Sequence, residues 1–189
     1  MNGVLPTTLK FGRGGEEAES FRYPNLYQRE VAATKERLLV GPSGGHCALL
    51  AELAACLPEP LSMLYVLVVP RGGAEDAAAR YESPRLSYPE VAAFIREHEK
   101  FLQADGRHHL WVSHPGVGTI VYDRHEILYA YGPLDDYVTV LRGQGLTEGD
   151  VVVPVPHWHC YHAEYDGEMQ ALLARWQWVK TPLREQDEE

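Results

Sequence analysis

Three strand-like stretches follow one another in the second half of the 189-residue chain. They run from His108 to His114, from Val117 to Asp123 and from Glu126 to Gly132, and they are rich in β-branched and aromatic residues. Parallel neighbours need a crossover of a dozen or more residues, and the connections here are much shorter. The chain is therefore expected to fold around an antiparallel or mixed sheet.

Helical periodicity surrounds these strands. Apolar residues recur at helical spacing over residues 27–38, 49–57, 91–102, 134–141 and 169–176. The apolar run 62–69 predicts a central strand, and 150–155 predicts an edge strand because proline cannot donate to a sheet ladder. This order predicts an α+β fold, with a sheet of about five strands and helices packed against it.

The two ends of the chain lack the apolar periodicity of its centre. Residues 1–22 contain a glycine-rich stretch and an acidic run, and residues 184–189 are mostly acidic. Such segments bury too little apolar surface to order themselves. We expect a flexible N-terminal tail over 1–22, a single α+β domain over 23–183 and an acidic C-terminal tail over 184–189.

Composition and charge indicate which partners and which cell compartment the protein is suited to. The formal net charge is −10, which argues against binding to nucleic acid because that affinity comes mainly from cations on phosphates. No stretch approaches the roughly 18 apolar residues that span a bilayer. The 3 cysteines are not spaced as a disulfide framework, which favours a reducing compartment. The sequence predicts a cytoplasmic protein that contacts neither nucleic acid nor membrane.

The segment from His157 to His162 carries the densest chemistry of the chain. Imidazoles are ligands that zinc-like divalent ions prefer, and a loop after a strand can direct several of them at one ion. The candidate metal ligands are His157, His159 and His162, and the candidate supporting residues are Glu164, Asp166 and His125. In the alternative interpretation, which we favour, these histidines only pack a strand-to-helix connection together with Trp158 and Tyr161.

Two families resemble parts of this segment. Its pattern is similar to the His-x-His-x-Asp-His motif of the metallo-β-lactamase fold, but Tyr161 stands where that family has an aspartate ligand. His157 and His159, with Glu164 following, resemble the metal triad of the cupins, which are β-barrels rather than helix-containing domains. Each resemblance covers only a few residues, and neither family is assigned to the chain.

The hairpin tip between two of the predicted strands is a second candidate. Its sequence is Tyr122-Asp123-Arg124-His125. Asp, Arg and His at one tip suit general acid–base chemistry or contact with a partner. A solvated turn explains the same residues and is the favoured interpretation.

The sequence favours a binding protein over an enzyme. Acidity, abundant Tyr and Trp, and the lack of a complete catalytic set predict a protein-binding protein. An example is an immunity-type protein that neutralises a basic toxin or effector domain. The alternative is a metal-dependent hydrolase or related metal enzyme that uses the histidines of residues 157–162. A structural subunit of a larger assembly is a third hypothesis.

Overall fold

Two sheets and five α-helices form the part of the chain that the computed structural model describes, residues 10–14, 19–70 and 77–187. The strands are β1 (Phe11–Arg13), β2 (Glu19–Ser20), β3 (Leu26–Ala32), β4 (Lys35–Gly41), β5 (Ser62–Leu67), β6 (Ala79–Glu82), β7 (His108–His114), β8 (Gly118–Tyr122), β9 (Leu128–Tyr131), β10 (Thr147–Glu148), β11 (His157–His159) and β12 (Val179–Thr181). The helices are α1 (His46–Ala54), α2 (Tyr88–Glu97), α3 (Glu99–Ala104), α4 (Leu134–Gly143) and α5 (Asp166–Ala174).

The main sheet has nine strands in the order β10-β3-β4-β9-β8-β7-β5-β6-β12. β10 pairs with β3 in parallel, and the other neighbours are antiparallel. The α+β class and the meander β7-β8-β9 are thereby confirmed. The expected size of about five strands is wrong, because a hairpin and short edge strands extend the sheet beyond what apolar periodicity reveals.

The largest error concerns residues 27–38, where a helix was predicted. They form the hairpin of β3 and β4, which is closed by a tight turn with Ala33 at φ 55°. Tyr27 and Leu38 are buried in the main core, whereas Val31 is 68% exposed. Residues on two paired strands therefore happen to have the sequence spacing of one helical stripe, which is why a helix was predicted.

The strand predicted at 150–155 is also absent. Residues 149–156 lie outside regular secondary structure, and strands occur on either side as β10 and β11. Pro154 and Pro156 explain the difference, because neither can donate a backbone hydrogen bond to a neighbouring strand. Residues 149–156 therefore form an irregular connection that leads into β11.

The main sheet has two different faces. Leu110, Val112 and Ile120 point to the face covered by helices and are fully buried in the main core. His109 and Trp111 alternate with them and therefore point to the opposite face. We call this second face the open face.

Both predicted tails contain ordered, packed residues where the structure describes them. β1 and β2 pair with each other, and β1 also pairs with β11, so these three strands make a second antiparallel sheet. Phe11 is completely buried there, because its ring fills a small core with Tyr23 and Ile127. At the other end, Asp187 is only 3% exposed. Residues 1–9, 15–18, 188 and 189 lie outside the described part of the chain.

Within the described residues, no helix combines the length and the apolar character needed to cross a membrane.

Candidate metal centre

Two histidines of β11 and one that is more than 30 residues earlier in the sequence converge at one place. His157 and His159 lie on β11 and, being two residues apart, project from the same face of the strand. His125 lies at the tip of the β8–β9 hairpin. The three ring centroids are 5.0 to 5.4 Å apart. We call His125, His157 and His159 the histidine trio.

One ring nitrogen from each member of the trio can serve as a ligand. These three nitrogens all lie within 4.8 Å of one another. Zinc–nitrogen bonds are about 2.0–2.1 Å long, so nitrogens around one tetrahedral ion lie roughly 3.4 Å apart. This limit is wider than that spacing, so the side chains must rotate to bring the three nitrogens to one ion.

Phe11 supports the trio from beneath. Its ring centroid lies 5.5 Å from that of His125, 5.4 Å from that of His157 and 5.7 Å from that of His159. Strand pairing fixes this position, because Phe11 of β1 stands directly opposite His159 of β11. A segment expected to be a flexible tail therefore holds the rings in place.

Asp123 orients the His125 ring. Its Oδ2 lies 2.7 Å from His125 Nδ1, while its Oδ1 accepts hydrogen bonds from the backbone N–H groups of His125 and Ile127. Burial raises the pKa of this carboxyl, but the hydrogen bonds from the His125 side chain and the Ile127 backbone, with other nearby groups, outweigh burial and leave the pKa below its ordinary value. A carboxylate accepts only, so Nδ1 carries the proton and Nε2 keeps its lone pair.

A backbone carbonyl sets the tautomer of His157 in the same way. His157 Nδ1 lies 3.0 Å from the oxygen of Pro154. Because a carbonyl oxygen can only accept, Nδ1 donates and Nε2 is left as the lone-pair nitrogen. The side chain is exposed, so the trio is open to solvent on this side.

His159 differs from the other two because its Nε2 already accepts a hydrogen bond from a cationic side chain. Arg124 donates from Nε to His159 Nε2 at 2.9 Å. Burial lowers the pKa of His159 to about 3, and the nearby charge of Arg124 acts in the same direction. The ring is therefore neutral at physiological pH, which is the form that binds metals.

The remaining predicted site residues lie in a second cluster. His162 lies beside Glu164, with 3.9 Å between Nδ1 and Oε1, and its backbone N–H points to Asp105 Oδ2 at 3.4 Å. Asp166 Oδ1 lies 3.5 Å from Arg107 Nη1. The group of ligand atoms within 4.8 Å of one another comes from His125, His157 and His159, and His162 stands at the start of the short 3₁₀ helix Ala163–Tyr165 that follows β11. The structure thus joins His125 to His157 and His159, and it places His162, Glu164 and Asp166 elsewhere.

Lys10 and Glu126 are two buried ionisable residues that interact electrostatically. The Lys10 ammonium is buried 3.4 Å from the centroid of the Tyr122 ring, and Glu126 is 3% exposed. Burial lowers the pKa of Lys10 and raises that of Glu126, while the charge of each opposes the shift of the other. Lys10 also accepts a hydrogen bond from Cys160 N–H through its carbonyl oxygen, which fastens β1 to the end of β11.

Sequence reasoning missed Phe11, Asp123 and Arg124 as parts of this site. The available signal was the hairpin tip, where an aspartate two residues before a histidine is typical of a turn that its side chain closes. No pattern in the sequence indicated that this tip meets β11. Comparison with family models, curated proteins and solved structures found no match to the chain.

Proposed function

We propose that this protein binds a zinc-like divalent ion through His125, His157 and His159 and uses it for hydrolytic chemistry. The observation that carries the proposal is the convergence of three ring nitrogens to within 4.8 Å. A neutral imidazole is a common ligand for such ions. Two of the rings also have their tautomer set by an acceptor at Nδ1, which is a usual arrangement around protein-bound zinc.

The ligand count suggests the kind of chemistry. Three protein ligands leave a fourth tetrahedral position for water, as in catalytic zinc sites, whereas structural sites use four protein ligands. An ion in such a site lowers the pKa of its bound water to about 7 and so supplies hydroxide as a nucleophile. The exposure of His157 supports access of a substrate from solvent.

Asp123 has a supporting role in this proposal. His125 Nδ1–H donates to Asp123 Oδ2, which leaves Nε2 of that ring as the nitrogen able to bind an ion and makes that nitrogen more basic. Glu164 and Asp166 were the carboxylates expected to assist a bound water, but Glu164 lies beside His162 and Asp166 lies beside Arg107. Asp123 is therefore the carboxylate that we assign to the trio, as an orienting group.

Metal titration of single-alanine variants tests the proposal. Tag-free protein is stripped with a chelator and titrated with Zn²⁺ against a chromogenic competitor. We expect one tightly bound ion in the wild type, and a loss of affinity of at least about 100-fold in His125→Ala, His157→Ala and His159→Ala. His162→Ala is the matched control, because it removes a neighbouring imidazole from outside the trio and should bind like the wild type.

The outcomes separate the alternatives. Equal loss of binding in all four variants, or loss only in His162→Ala, would contradict the trio as the ligand set. Hydrolysis is tested separately with p-nitrophenyl acetate, on which zinc-loaded wild type should act faster than the His157→Ala variant. Equal rates would be compatible with a metal site but would reject the proposed catalysis.

Binding to a basic protein is the second candidate function, in the manner of an immunity-type protein. Besides the net charge of −10, the segment that leads into β11 exposes apolar side chains, with Val152 69% and Val155 85% exposed. A pull-down from the native cell with wild type and Val155→Glu tests this proposal. A basic partner retained by the wild type and lost in the variant would support it, and equal recovery would oppose it.

A further inference from the structure

A cavity of about 550 Å³ lies on the open face of the main sheet. This volume falls within the range of small-molecule sites, which is roughly 300–1,000 Å³. Its lining draws on five strands, β4, β5, β7, β8 and β9, on Asp123 just after β8 and on Asp187 near the C-terminus, and it combines three aromatic side chains with charged and hydrogen-bonding groups. The helices cover the opposite face, so the cavity is separate from the main core.

Strand pairing arranges the lining in successive rows across the sheet. Thr119 stands opposite Tyr131 in one row, and Val121 stands between Tyr129 and Trp111 in the next. Residues two apart on a strand are about 7 Å from each other, so neighbouring rows are separated by roughly the length of an aromatic ring. The aromatic row therefore lies in the middle of the cavity.

Cations lie at the Thr119 end. Arg37 donates to the hydroxyl of Tyr131 at 2.7 Å, is paired with Glu30, and has its guanidinium carbon 4.6 Å from the centroid of the Tyr129 ring. Lys35 also lines the cavity and has no ion-pair partner among the residues that the structure describes. Both carboxylates in the lining are already engaged, Asp123 by His125 and Asp187 by Arg80. Within the described part of the chain, the unpaired charge at this end is therefore that of Lys35, and the guanidinium of Arg37, although paired with Glu30, adds further hydrogen-bond donors.

His109 marks the opposite end. His109 lies one row beyond Trp111, nearer the start of β7, and stands opposite Val66 of β5. It is 8% exposed. Burial lowers the pKa of His109 to about 4, with smaller opposing and reinforcing charges nearby, so the ring is neutral and offers one donor and one acceptor. This end suits a hydroxyl or amine group of a ligand rather than a charge.

We propose that the cavity binds a flat aromatic carboxylate, with its ring between Tyr129 and Trp111 and its carboxylate at Arg37 and Lys35. Aromatic walls favour a planar ligand through stacking, and a guanidinium recognises a carboxylate through paired hydrogen bonds. A polar group at the far end of the ring would reach His109. The inference does not depend on a metal in the trio, although Asp123 lies at both places.

Fluorine NMR of protein labelled with 5-fluorotryptophan locates the ligand. The chain has 4 tryptophans, Trp111, Trp158, Trp176 and Trp178, and Trp111 is the one that lines the cavity. On titration with 6-hydroxy-2-naphthoate we expect the resonance of Trp111 to shift, and the other three to stay in place. Trp111→Phe assigns that resonance.

Matched ligands and variants test the chemistry. We expect 6-hydroxy-2-naphthamide, which lacks the charge, to bind at least about tenfold more weakly, and Arg37→Gln to weaken the carboxylate by a similar factor. Thr119→Trp should fill the cavity and abolish binding, with circular dichroism to check folding. Arg29→Gln is the control, since Arg29 forms an exposed pair with Asp135.

The proposal would be overturned by no shift of the Trp111 resonance, by a shift confined to another tryptophan, or by equal affinity for the carboxylate and the amide. His157→Ala should keep the site intact, so failure of the metal proposal and failure of the cavity proposal are distinguishable. Binding that persists unchanged in both Arg37→Gln and Thr119→Trp would also place the ligand elsewhere.

Discussion

The Nε atom of Arg124 lies 2.9 Å from Nε2 of His159 and donates a hydrogen bond to it. A ring nitrogen has one lone pair, so this bond and a metal ion compete for the same atom. If Nε2 accepts from Arg124, the proton of the neutral ring is on Nδ1, which then cannot bind a metal either. Metal binding by all three histidines therefore requires Arg124 to release His159.

Replacing Arg124 should strengthen metal binding. In Arg124→Gln, the charge and the strong donor that hold His159 are gone, and a hydrogen bond to a charged group contributes about 1.5–3 kcal/mol. We expect the zinc affinity to rise about tenfold or more in a competition titration. Arg29→Gln, which removes an exposed arginine elsewhere, should leave the affinity unchanged. A lower affinity in Arg124→Gln would show that the arginine supports the metal site instead.

Phe11 should be essential to both stability and the metal site. Its fully buried ring contacts all three histidines, and truncation of a buried Phe to Ala costs about 3–5 kcal/mol. We expect Phe11→Ala to lower the free energy of unfolding by this amount in urea and to weaken zinc binding. Phe21→Ala removes a less buried partner of the same ring and should cost less. Equal effects of the two substitutions would contradict this role.

The parts of the fold that follow local rules were predictable. The meander β7-β8-β9 follows from short connections, and helix α2 begins at a capping box formed by Ser87 and Glu90. The β3–β4 hairpin was mistaken for a helix because Tyr27, Val31, Thr34 and Leu38 are also compatible with a helical spacing. Only pairing across the hairpin decides between the two, and a single sequence does not show that pairing.

The site was predictable only in its residue types. His157 and His159 are two residues apart on a strand, so their common direction follows from strand geometry. His125 is more than 30 positions away, and its place beside them depends on how β11 docks on the hairpin tip through β1. His162 was grouped with them by proximity in sequence, but the turn after β11 overrides that proximity.

The buried carboxyl of Glu126 should make stability depend on pH. Burial raises its pKa from 4.5 to about 7, while Lys10 opposes the shift. A group with a raised pKa binds its proton more tightly in the folded state, so its contribution is complete below the unfolded-state pKa and is lost as the pH rises through the folded-state pKa. Glu126→Gln stays neutral and avoids this loss.

We therefore expect the difference in free energy of unfolding, Glu126→Gln minus wild type, to grow as the pH rises from about 4.5 to about 7. The growth should be roughly 1–3 kcal/mol and is measured by urea denaturation at several pH values. Taking a difference removes the contributions of other groups that titrate in this range. A flat curve for Glu126→Gln would contradict its raised pKa.

The ion pair of Arg80 and Asp187 should anchor the C-terminal segment. Their side chains are in contact, and the two residues are 7% and 3% exposed, although this segment was expected to be a tail. Asp187→Ala leaves the Arg80 guanidinium buried without its partner, which costs about 3–5 kcal/mol. We expect urea denaturation to show this loss, whereas the exposed Glu185→Ala should stay within about 0.5 kcal/mol of wild type.

A double variant separates the cost of an unpaired charge from the loss of packing. Arg80→Met with Asp187→Leu replaces both charges with apolar side chains, and such replacements of buried pairs are often neutral or stabilising. We expect the double variant to regain most of the stability that Asp187→Ala loses. If Asp187→Ala is as stable as wild type, the C-terminal segment does not hold the pair in solution. If the double variant is as unstable as Asp187→Ala, the loss comes from packing of the segment rather than from the stranded guanidinium.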